Sequence, residues 1–519
     1  MGHALTVTAR ARAALALVSG LLLAASFPKF GHSAVGWVAL APLLAAVVGQ
    51  PAARGFRLGL LTGAVYFAGT LYWISGVMVT FGAMPFAVAI LINAALVAYL
   101  ALYPAVFGAV MARLSRHFGM RALAAAPCVW VATELGRTLV MTGFPWVLLG
   151  YSQATVLPIA QVASVAGVYG VSWLVAAVSA ALAYAVLHER SPRPVWSAAH
   201  WRPVYAVATA VVLCAVWGGW RVHRGALRSE GTPVRVGLVQ GNVDQADKWD
   251  VLRSRDIFGD YLRLTRETIA AGARVVIWPE SSTPFFLRED EAEAEQVRRI
   301  ARDARVPIVV GSDDVQRSAE RGGPRRYFNA AFLIGADGSD QGVYHKMHLV
   351  PFGEYVPLRG LLFFVDRLVQ SVSDFSPGAE PVLLSVNGHP FSTSICYEVV
   401  YPAATRAFVL RGSELLATMT NDAWFGTTSA PYQHFAQASM RAIETGRYLV
   451  RAANTGITGM VDPYGQVLAQ TRLNETTALV GEVRFLQGQT LYVRTGDAVA
   501  WASVALVALL LAASVRRVR

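Results

Sequence analysis

Charged residues are scarce in this chain of 519 residues. Only 15% of the residues are Asp, Glu, Lys or Arg and 55% are hydrophobic, whereas soluble globular proteins average about 25% charged residues. Acidic residues are also unevenly placed, because residues 231–490 carry 29 of the 33. This composition excludes an ordinary soluble protein and predicts a membrane protein with one more polar region.

Cysteine is scarcer still. The three cysteines, Cys128, Cys214 and Cys396, cannot form a disulfide framework, and there is no CxxC pair or Cys/His cluster with zinc spacing. The sequence also lacks the GxGxxG and GxxxxGK[ST] loops, so nucleotide binding has no support. We therefore expect neither a metal ion nor a cofactor.

Apolar stretches that approach the length of a membrane span, roughly 20 residues, recur along the chain. They lie near residues 11–27, 33–49, 58–78, 84–112, 122–139, 161–187, 203–220 and 497–515. The first has the basic start of a signal peptide, but further spans follow directly, so an uncleaved helix is expected. The prediction is a polytopic α-helical membrane protein with about eight spans: a membrane domain at 1–222, a polar domain at 223–496 and a last helix with a basic tail at 497–519.

The basic residues indicate the orientation of the spans. Alternate flanks hold 13 arginines, while the other short loops hold a single cation, Lys29. By the positive-inside rule, both termini are cytoplasmic and the polar domain lies on the outer face. The same distribution of charge argues against nucleic acid as a partner, since nucleic-acid binding requires a basic patch on a folded domain. Residues 231–490 have a net charge of −3, against +15 for the remainder.

The polar domain alternates strand-like runs with amphipathic helices, which predicts an α/β sandwich of sheets with helices outside. Glu280 ends one apolar strand, in VVIWPESSTPFF. Beside aromatic side chains this carboxylate would be poorly solvated, so that its pKa would rise and make it a competent general base. The alternative is a loop glutamate that caps or pairs locally.

Lys346 follows a second strand, in VYHKMHLVPFGEYVP, where the chain elsewhere prefers arginine. Lysine supplies a compact positive charge with movable donors, and Glu354 lies eight residues later, where it could hold that lysine charged. The alternative is a surface lysine, and a surface position is also the simplest interpretation of His345 and His348.

Cys396 ends a third strand, in TSICYEVVYP, and precedes a helix predicted near residue 399. A thiol at a helix N-terminus has a lowered pKa, and the N–H groups after it point toward a developing oxyanion. The alternative is a small buried hydrophobic residue, which is the expectation for Cys128 and Cys214 inside predicted spans.

The motifs WPES, HKMHLVPFGEYVP and ICYE together resemble the Glu-Lys-Cys signature of the nitrilase superfamily. With NDAWFG, and with spans on both sides, the whole chain is similar to the apolipoprotein N-acyltransferase family, the membrane branch of that superfamily. The resemblance implies a nitrilase-like α-β-β-α sandwich on the periplasmic side of the inner membrane. It implies Glu280 as general base, Lys346 as the cation beside the oxyanion, and Cys396 as nucleophile.

The resemblance implies further residues. Glu354, Tyr397 and Glu398 would support catalysis, and Trp249 would lie near the substrate entrance. The implied reaction moves an acyl chain from a phospholipid, through a cysteine thioester, to the N-terminal amine of the S-diacylglyceryl cysteine of an apolipoprotein. The partners are then a phospholipid donor, a diacylated apolipoprotein acceptor and the bilayer, and the protein is expected to be a monomer.

Other side chains are candidates for substrate binding or support. Phe352, Phe363 and Phe364 could form an apolar arm over the site, or could be ordinary packing. Asn329 could orient polar groups or serve a core hydrogen bond, and Asn421 and Asp422 are expected to shape the site. Glu134 and Arg137, three residues apart in a predicted span, are expected to form a structural pair; a headgroup contact is the alternative.

Two other functions remain open at this stage. A membrane-anchored amidase or nitrilase would use the same three residues but transfer the acyl group to water. A transporter or receptor with an outer binding domain would need polar residues in the middle of its spans, and few are present. Neither alternative explains seven spans together with Glu280, Lys346 and Cys396.

Overall fold

The computed structural model describes residues 8–189, 198–245, 247–248, 250–317, 325–351, 353–355 and 375–516. The chain divides into two compact units. We name them after their predicted roles: the membrane unit comprises residues 1–76, 86–224 and 494–519, and the catalytic unit comprises 77–85 and 225–493.

The membrane unit is helical throughout its described part. Its helices are α1 (Ala9–Ala24), α2 (Ser33–Gly36), α3 (Ala41–Val47), α4 (Ala52–Thr70), α5 (Trp73–Thr80), α6 (Phe86–Phe118), α7 (Ala126–Leu139), α8 (Leu157–Ala160), α9 (Ala163–Glu189) and α10 (Ala198–Arg224), with α16 (Ala498–Arg516) at the C-terminal end. The end of α5 belongs to the catalytic unit.

Helices α4 and α6 pack closely because α4 presents Gly55, Gly59 and Gly63 at every fourth position. A Cβ atom added at Gly59 would lie 2.1 Å from the backbone oxygen of Pro104 in α6. Small residues at this spacing let two helix backbones approach, which is how helices associate where apolar burial supplies no driving force.

Four helical stretches among the described residues have the length and hydropathy to cross a membrane: Phe86–Thr142, Ala163–His188, Trp201–Arg228 and Ala498–Val515. The pair α4 and α5, bent by 51°, makes a fifth if it counts as one span. The predicted count of eight is therefore not confirmed. Helix α1 has only 16 residues and α7 only 14, which is shorter than the roughly 20 that a straight span needs.

The catalytic unit contains two sheets of six strands. The first has the order β12-β1-β2-β3-β4-β5 and the second β11-β10-β9-β8-β7-β6. The strands are β1 (Thr232–Gln240), β2 (Val275–Ile277), β3 (Ile308–Gln316), β4 (Arg326–Ile334), β5 (Asp340–His345), β6 (Leu384–Val386), β7 (His389–Ile395), β8 (Leu416–Thr420), β9 (Leu449–Ala453), β10 (Gly459–Val461), β11 (Val467–Gln470) and β12 (Thr477–Phe485).

Four helices accompany these strands: α11 (Val251–Ala270), α12 (Glu291–Ala304), α13 (Pro402–Leu410) and α14 (Ala430–Thr445), followed by the short α15 (Leu491–Thr495). One apolar core lies between the sheets and includes Leu238 and Val450. A second lies between the first sheet and helices α11 and α12, while α13 and α14 contact the second sheet. This is the predicted α-β-β-α sandwich.

Candidate active site

Three chain segments that leave the ends of strands carry the predicted catalytic residues. Glu280 follows β2 after a Trp-Pro turn, Lys346 follows β5 directly, and Cys396 follows β7 directly. Strands β2 and β5 belong to the first sheet and β7 to the second. Since α/β folds place their sites where strands end, the two sheets contribute to one polar cluster.

Glu280 and Lys346 form a buried ion pair with Glu354. The ammonium nitrogen Nζ of Lys346 donates to Oε1 of Glu280 at 3.1 Å and to Oε1 of Glu354 at 2.8 Å. Lys346 is only 1% exposed, so it is not the surface lysine of the alternative interpretation. The two carboxylates hold it charged, because their negative charges raise the pKa of Lys346 although burial opposes this.

Asn329 joins the two carboxylates. Its side-chain Nδ2 donates to Oε1 of Glu280 at 2.7 Å and to Oε1 of Glu354 at 3.0 Å. Its backbone oxygen accepts from the N–H of Lys346 at 2.9 Å, and the N–H of Asn421 donates to the other Glu280 oxygen at 2.8 Å. Asn329 therefore contacts both carboxylates of this cluster, and both of its sequence interpretations remain open.

The pKa of Glu280 shifts in the direction opposite to the prediction. Burial penalises its charged form, but the Lys346 ammonium and the hydrogen bonds from Asn329 and Asn421 outweigh burial and hold the pKa of Glu280 below its ordinary value. The expectation of a raised pKa is wrong because it considered only the apolar neighbours. Glu280 is consequently a carboxylate at neutral pH, and its partners come from distant parts of the chain rather than from its own loop.

The expected lowering of the Cys396 pKa is also wrong. Burial and the charge of Glu280 raise the pKa of the Cys396 thiol, and Lys346 opposes this only in part. Cys396 begins a 3-10 turn, Cys396–Val400, and the α-helix predicted near residue 399, α13, starts only at Pro402. The thiol stays protonated at neutral pH and needs a base to react.

The backbone at Cys396 is left-handed, with φ of 51°. A residue other than glycine rarely adopts this backbone conformation, and such strain persists only where the surroundings enforce it. Glu398 provides one restraint, because its Oε2 accepts from the N–H of Ile395 at 2.8 Å. Its Oε1 accepts from Tyr344 Oη and from the N–H of Met347, both at 2.7 Å. Glu398 thus ties the cysteine turn to the segment that follows Lys346.

His434, which the sequence did not single out, provides a second restraint. Its Nε2 lies 3.1 Å from the backbone oxygen of Cys396. Its Nδ1 lies 3.1 Å from Arg451 Nη2 and 3.2 Å from Asp422 Oδ1. No local pattern could have revealed this residue, since His434 and Cys396 are separated by 38 positions.

Four of the predicted site residues lie outside the part of the chain that the structure describes: Trp249, Phe352, Phe363 and Phe364. Tyr397 is buried and makes an edge contact with Tyr401 at 5.3 Å between ring centres.

The other cysteines and histidines of the prediction have structural surroundings. Cys128 accepts a hydrogen bond from Trp173 in the membrane unit at 3.3 Å, and Cys214 lies half-buried in α10. The two histidines near Lys346 are not free surface residues: Nε2 of His345 lies 2.7 Å from Asp314 Oδ2, and His348 stacks on Tyr401.

Glu134 and Arg137 do not form the predicted pair. No ion pair joins them among the described residues. Glu134 accepts from the N–H of Leu149 at 2.6 Å and from Trp130, while Arg137 donates to the carbonyl oxygens of Trp146 at 2.6 Å and Phe144 at 3.2 Å. Both side chains therefore stabilise the loop at 143–153. This role is structural, as predicted, but it is made through the loop backbone and not through a mutual ion pair.

Within the described ranges, no group of three or more His, Cys, Asp or Glu is arranged to hold a metal ion. The candidate site is instead a carboxylate, an ammonium and a thiol, all buried within the α-β-β-α sandwich. Residues 235–490 match the family model described as carbon-nitrogen hydrolase. This class of protein, the nitrilase superfamily, is what the fold and the site define.

Residues 19–181 match the model described as apolipoprotein N-acyltransferase N-terminal domain. The apolipoprotein N-acyltransferase of Geobacter metallireducens is 42% identical over 97% of this chain and 95% of its own length. That of Methylococcus capsulatus is 35% identical over 95% of this chain and 94% of its own length. The chain belongs to the apolipoprotein N-acyltransferase family.

Solved structures resemble the catalytic unit at lower similarity. An amidase from Nesterenkonia is 23% identical, with a TM-score of 0.37, and the match covers 52% of this chain and 95% of that one. A carbon-nitrogen hydrolase from Helicobacter pylori is 15% identical, with a TM-score of 0.38, over 53% of this chain and 94% of that one.

Proposed function

We propose that this protein transfers an acyl chain from a phospholipid to the N-terminal amine of the S-diacylglyceryl cysteine of apolipoproteins, with Cys396 as the nucleophile. The observation that carries the proposal is the buried Glu280–Lys346 pair, whose charges both act on the Cys396 thiol. Membership of the family supports the substrates, since the relatives are named apolipoprotein N-acyltransferases.

In the first step, the sulfur of Cys396 attacks an ester carbonyl carbon of the phospholipid while the thiol proton passes to Glu280. The oxyanion of the tetrahedral intermediate receives the Lys346 ammonium and backbone N–H groups after the cysteine. The bond to the glycerol oxygen then breaks, and that oxygen takes the proton from Glu280. The products are a lysophospholipid and an acyl thioester on Cys396.

In the second step, the amine of the acceptor attacks the thioester carbonyl and gives a proton to Glu280. The carbon–sulfur bond breaks, the sulfur regains the proton, and an amide is released. Division through a thioester replaces one difficult transfer by two easier ones. The protonation states support this order, because an ionised Glu280 and a protonated thiol are the correct starting forms for base-assisted attack.

The location in the membrane and the orientation of the protein are proposed on the same grounds, membership of the family. Residues 1–222 and 497–519 would hold the protein in the inner membrane with both termini cytoplasmic, and residues 223–496 would act on the periplasmic side as a monomer. Glu354 would hold Lys346, and Tyr397 and Glu398 would shape the cysteine turn. Trp249, Asn329, Phe352, Phe363 and Phe364 would line the path of the two lipid substrates.

Mass spectrometry of the intact protein tests the proposal. Purified protein mixed with phospholipid should gain one acyl chain on Cys396, and a diacylglyceryl-cysteine peptide added afterwards should remove it and gain one acyl chain itself. Cys396→Ala should abolish the adduct, whereas Cys128→Ala and Cys214→Ala should retain it. An absent adduct, or one that only hydrolyses, would contradict the transferase function and favour an amidase-like enzyme.

A further inference from the structure

A buried network connects α14 and β9 to the backbone of the nucleophile. Arg451, on β9, donates from Nη2 to Asp422 Oδ2 at 2.8 Å and lies 3.1 Å from His434 Nδ1 on α14. All three side chains are fully buried. The network reaches the backbone of the cysteine turn through His434, whose Nε2 lies 3.1 Å from the Cys396 carbonyl oxygen.

The proton on the His434 ring can be assigned from these partners. A carbonyl oxygen only accepts hydrogen bonds, so Nε2 carries a proton and donates to Cys396. Burial and the positive charge of Arg451 lower the pKa of His434, although Asp422 opposes this. The ring is then neutral, and its bare Nδ1 accepts from Arg451. Burial raises the pKa of Asp422, but its partners, first among them the charge of Arg451, hold it below its ordinary value, so Asp422 is ionised.

The Cys396 carbonyl belongs to the peptide unit that also contains the N–H of Tyr397. A trans peptide is planar and its C=O and N–H point in opposite directions, so a donor that fixes the carbonyl also fixes the direction of that N–H. A hydrogen bond accepted at the oxygen further polarises the N–H of the same unit. This N–H is the first backbone donor after the nucleophile, where an oxyanion would develop.

We infer that His434 is a positioning residue that orients and polarises the peptide between Cys396 and Tyr397, so that its N–H stabilises the oxyanion formed when Cys396 is acylated. Asp422 and Arg451 act through it, since they fix the tautomer and the tilt of the ring. The left-handed φ of Cys396 requires such a restraint from outside the turn. The inference rests on the proposed role of Cys396 as an acyl-accepting nucleophile.

Two conservative variants separate the two ring nitrogens. The amide nitrogen of glutamine reaches about as far as Nε2, and that of asparagine only about as far as Nδ1. His434→Gln should therefore keep the donation to the Cys396 carbonyl, and His434→Asn should lose it while it retains a polar group toward Arg451. His389→Gln is a matched control: His389 begins β7, the strand that leads to Cys396, and pairs with Glu414 at 2.6 Å.

Two reagents separate oxyanion stabilisation from access to the sulfur. Acylation of Cys396 by p-nitrophenyl butyrate passes through an oxyanion, and alkylation by iodoacetamide does not. The full-length protein with Cys128→Ala and Cys214→Ala is the background, and in it His434→Asn should slow acylation of Cys396 by about 10-fold or more. This effect should be smaller than the roughly 100-fold or greater loss of rate that follows removal of a direct oxyanion donor. Alkylation should change by less than about threefold if only the oxyanion is affected. His434→Gln and His389→Gln should acylate at nearly the original rate.

Equal acylation by the His434→Asn and His434→Gln variants would overturn the inference. So would a loss of alkylation in proportion to acylation, which would indicate general disorder of the turn. A parallel reaction with phospholipid separates this outcome from the proposed function. If the protein is acylated by the small ester and not by phospholipid, phospholipid is refuted as the acyl donor. The comparison of His434→Asn with His434→Gln would still test the role of His434.

Discussion

The two units bury a glutamate and a basic residue in contrasting ways. In the membrane unit, Glu134 and Arg137 lie on one helix, yet each is bonded to the backbone of the loop at 143–153. In the catalytic unit, Glu280 and Lys346 come from different strands and bond to each other. A buried charge needs partners in either case, but only the second arrangement leaves charged groups that also act on a thiol.

The difference indicates how to distinguish structural from reactive buried charges. Hydrogen bonds of Glu134 and Arg137 with the backbone hold a loop in place. Ionisable partners from separate elements, such as Glu280 and Lys346, are the arrangement that the proposed proton transfer requires. The comparison can be tested by removal of one group from each unit, with the effects expected to fall on activity in one case and on stability in the other.

The largest effect is expected for Glu280→Gln. The variant retains the shape of the side chain and leaves Lys346 paired with Glu354, so the fold should persist. Because Glu280 is the base proposed to take the thiol proton, acylation of Cys396 by phospholipid should fall by about 10³-fold or more, as measured by the rate of adduct formation. Glu414→Gln, which changes a carboxylate that binds His389 and Gln487, is the control. A Glu280→Gln rate within tenfold of the original would contradict the assignment.

Arg137→Met should affect stability instead. It removes the donors to the carbonyl oxygens of Phe144 and Trp146 and leaves them buried, at a cost of about 3 kcal/mol in the free energy of unfolding. Thermal unfolding in detergent should show this loss, while acylation of Cys396 by a small ester below the transition should stay within about threefold. Arg113→Met, which removes a donor to Ser514 at 2.9 Å, should cost about 1 kcal/mol. A selective loss of acylation without a loss of stability would break the comparison.

The smallest effect is expected for Asn329→Leu. The Asn329 amide stabilises the ionised form of Glu280, so its removal should raise the pKa of Glu280. The reaction needs the ionised carboxylate, and its rate falls as the pH drops through that pKa. The acid limb of the pH profile should therefore move to higher pH, with a loss that approaches about tenfold only below the original pKa of Glu280 for a shift of about one unit, and little change near pH 8. An unchanged limb would show that Asn329 only fills space.

Part of the site could be predicted from the sequence because Glu280, Lys346 and Cys396 each follow a strand within a short motif. Glu280, Lys346, Glu354 and Asn329 converge on one polar cluster. The directions of the Glu280 and Cys396 pKa shifts could not be predicted, since they depend on a balance between burial and partners that come from other strands.

The remainder of the fold was less accessible to sequence reasoning. The position of His434 depends on how α14 packs beneath the cysteine turn, and no spacing in PYQHFAQ encodes that. The predicted count of eight spans is not confirmed, and hydropathy alone does not show where short helices such as α2 and α3 break. The sheet sandwich, by contrast, could be predicted because it depends on the order of strands and helices along the chain and not on which residues pair between neighbouring strands.

The left-handed backbone of Cys396 has a consequence for how this enzyme can change over time. A residue with a side chain costs about 1 kcal/mol or more in this conformation, whereas glycine adopts it freely. Replacement of the proposed nucleophile by glycine would therefore relieve this backbone strain and would also remove the thiol. At this position backbone strain and the proposed reaction favour opposite residues, so that selection for the reaction must outweigh the cost of the strained backbone.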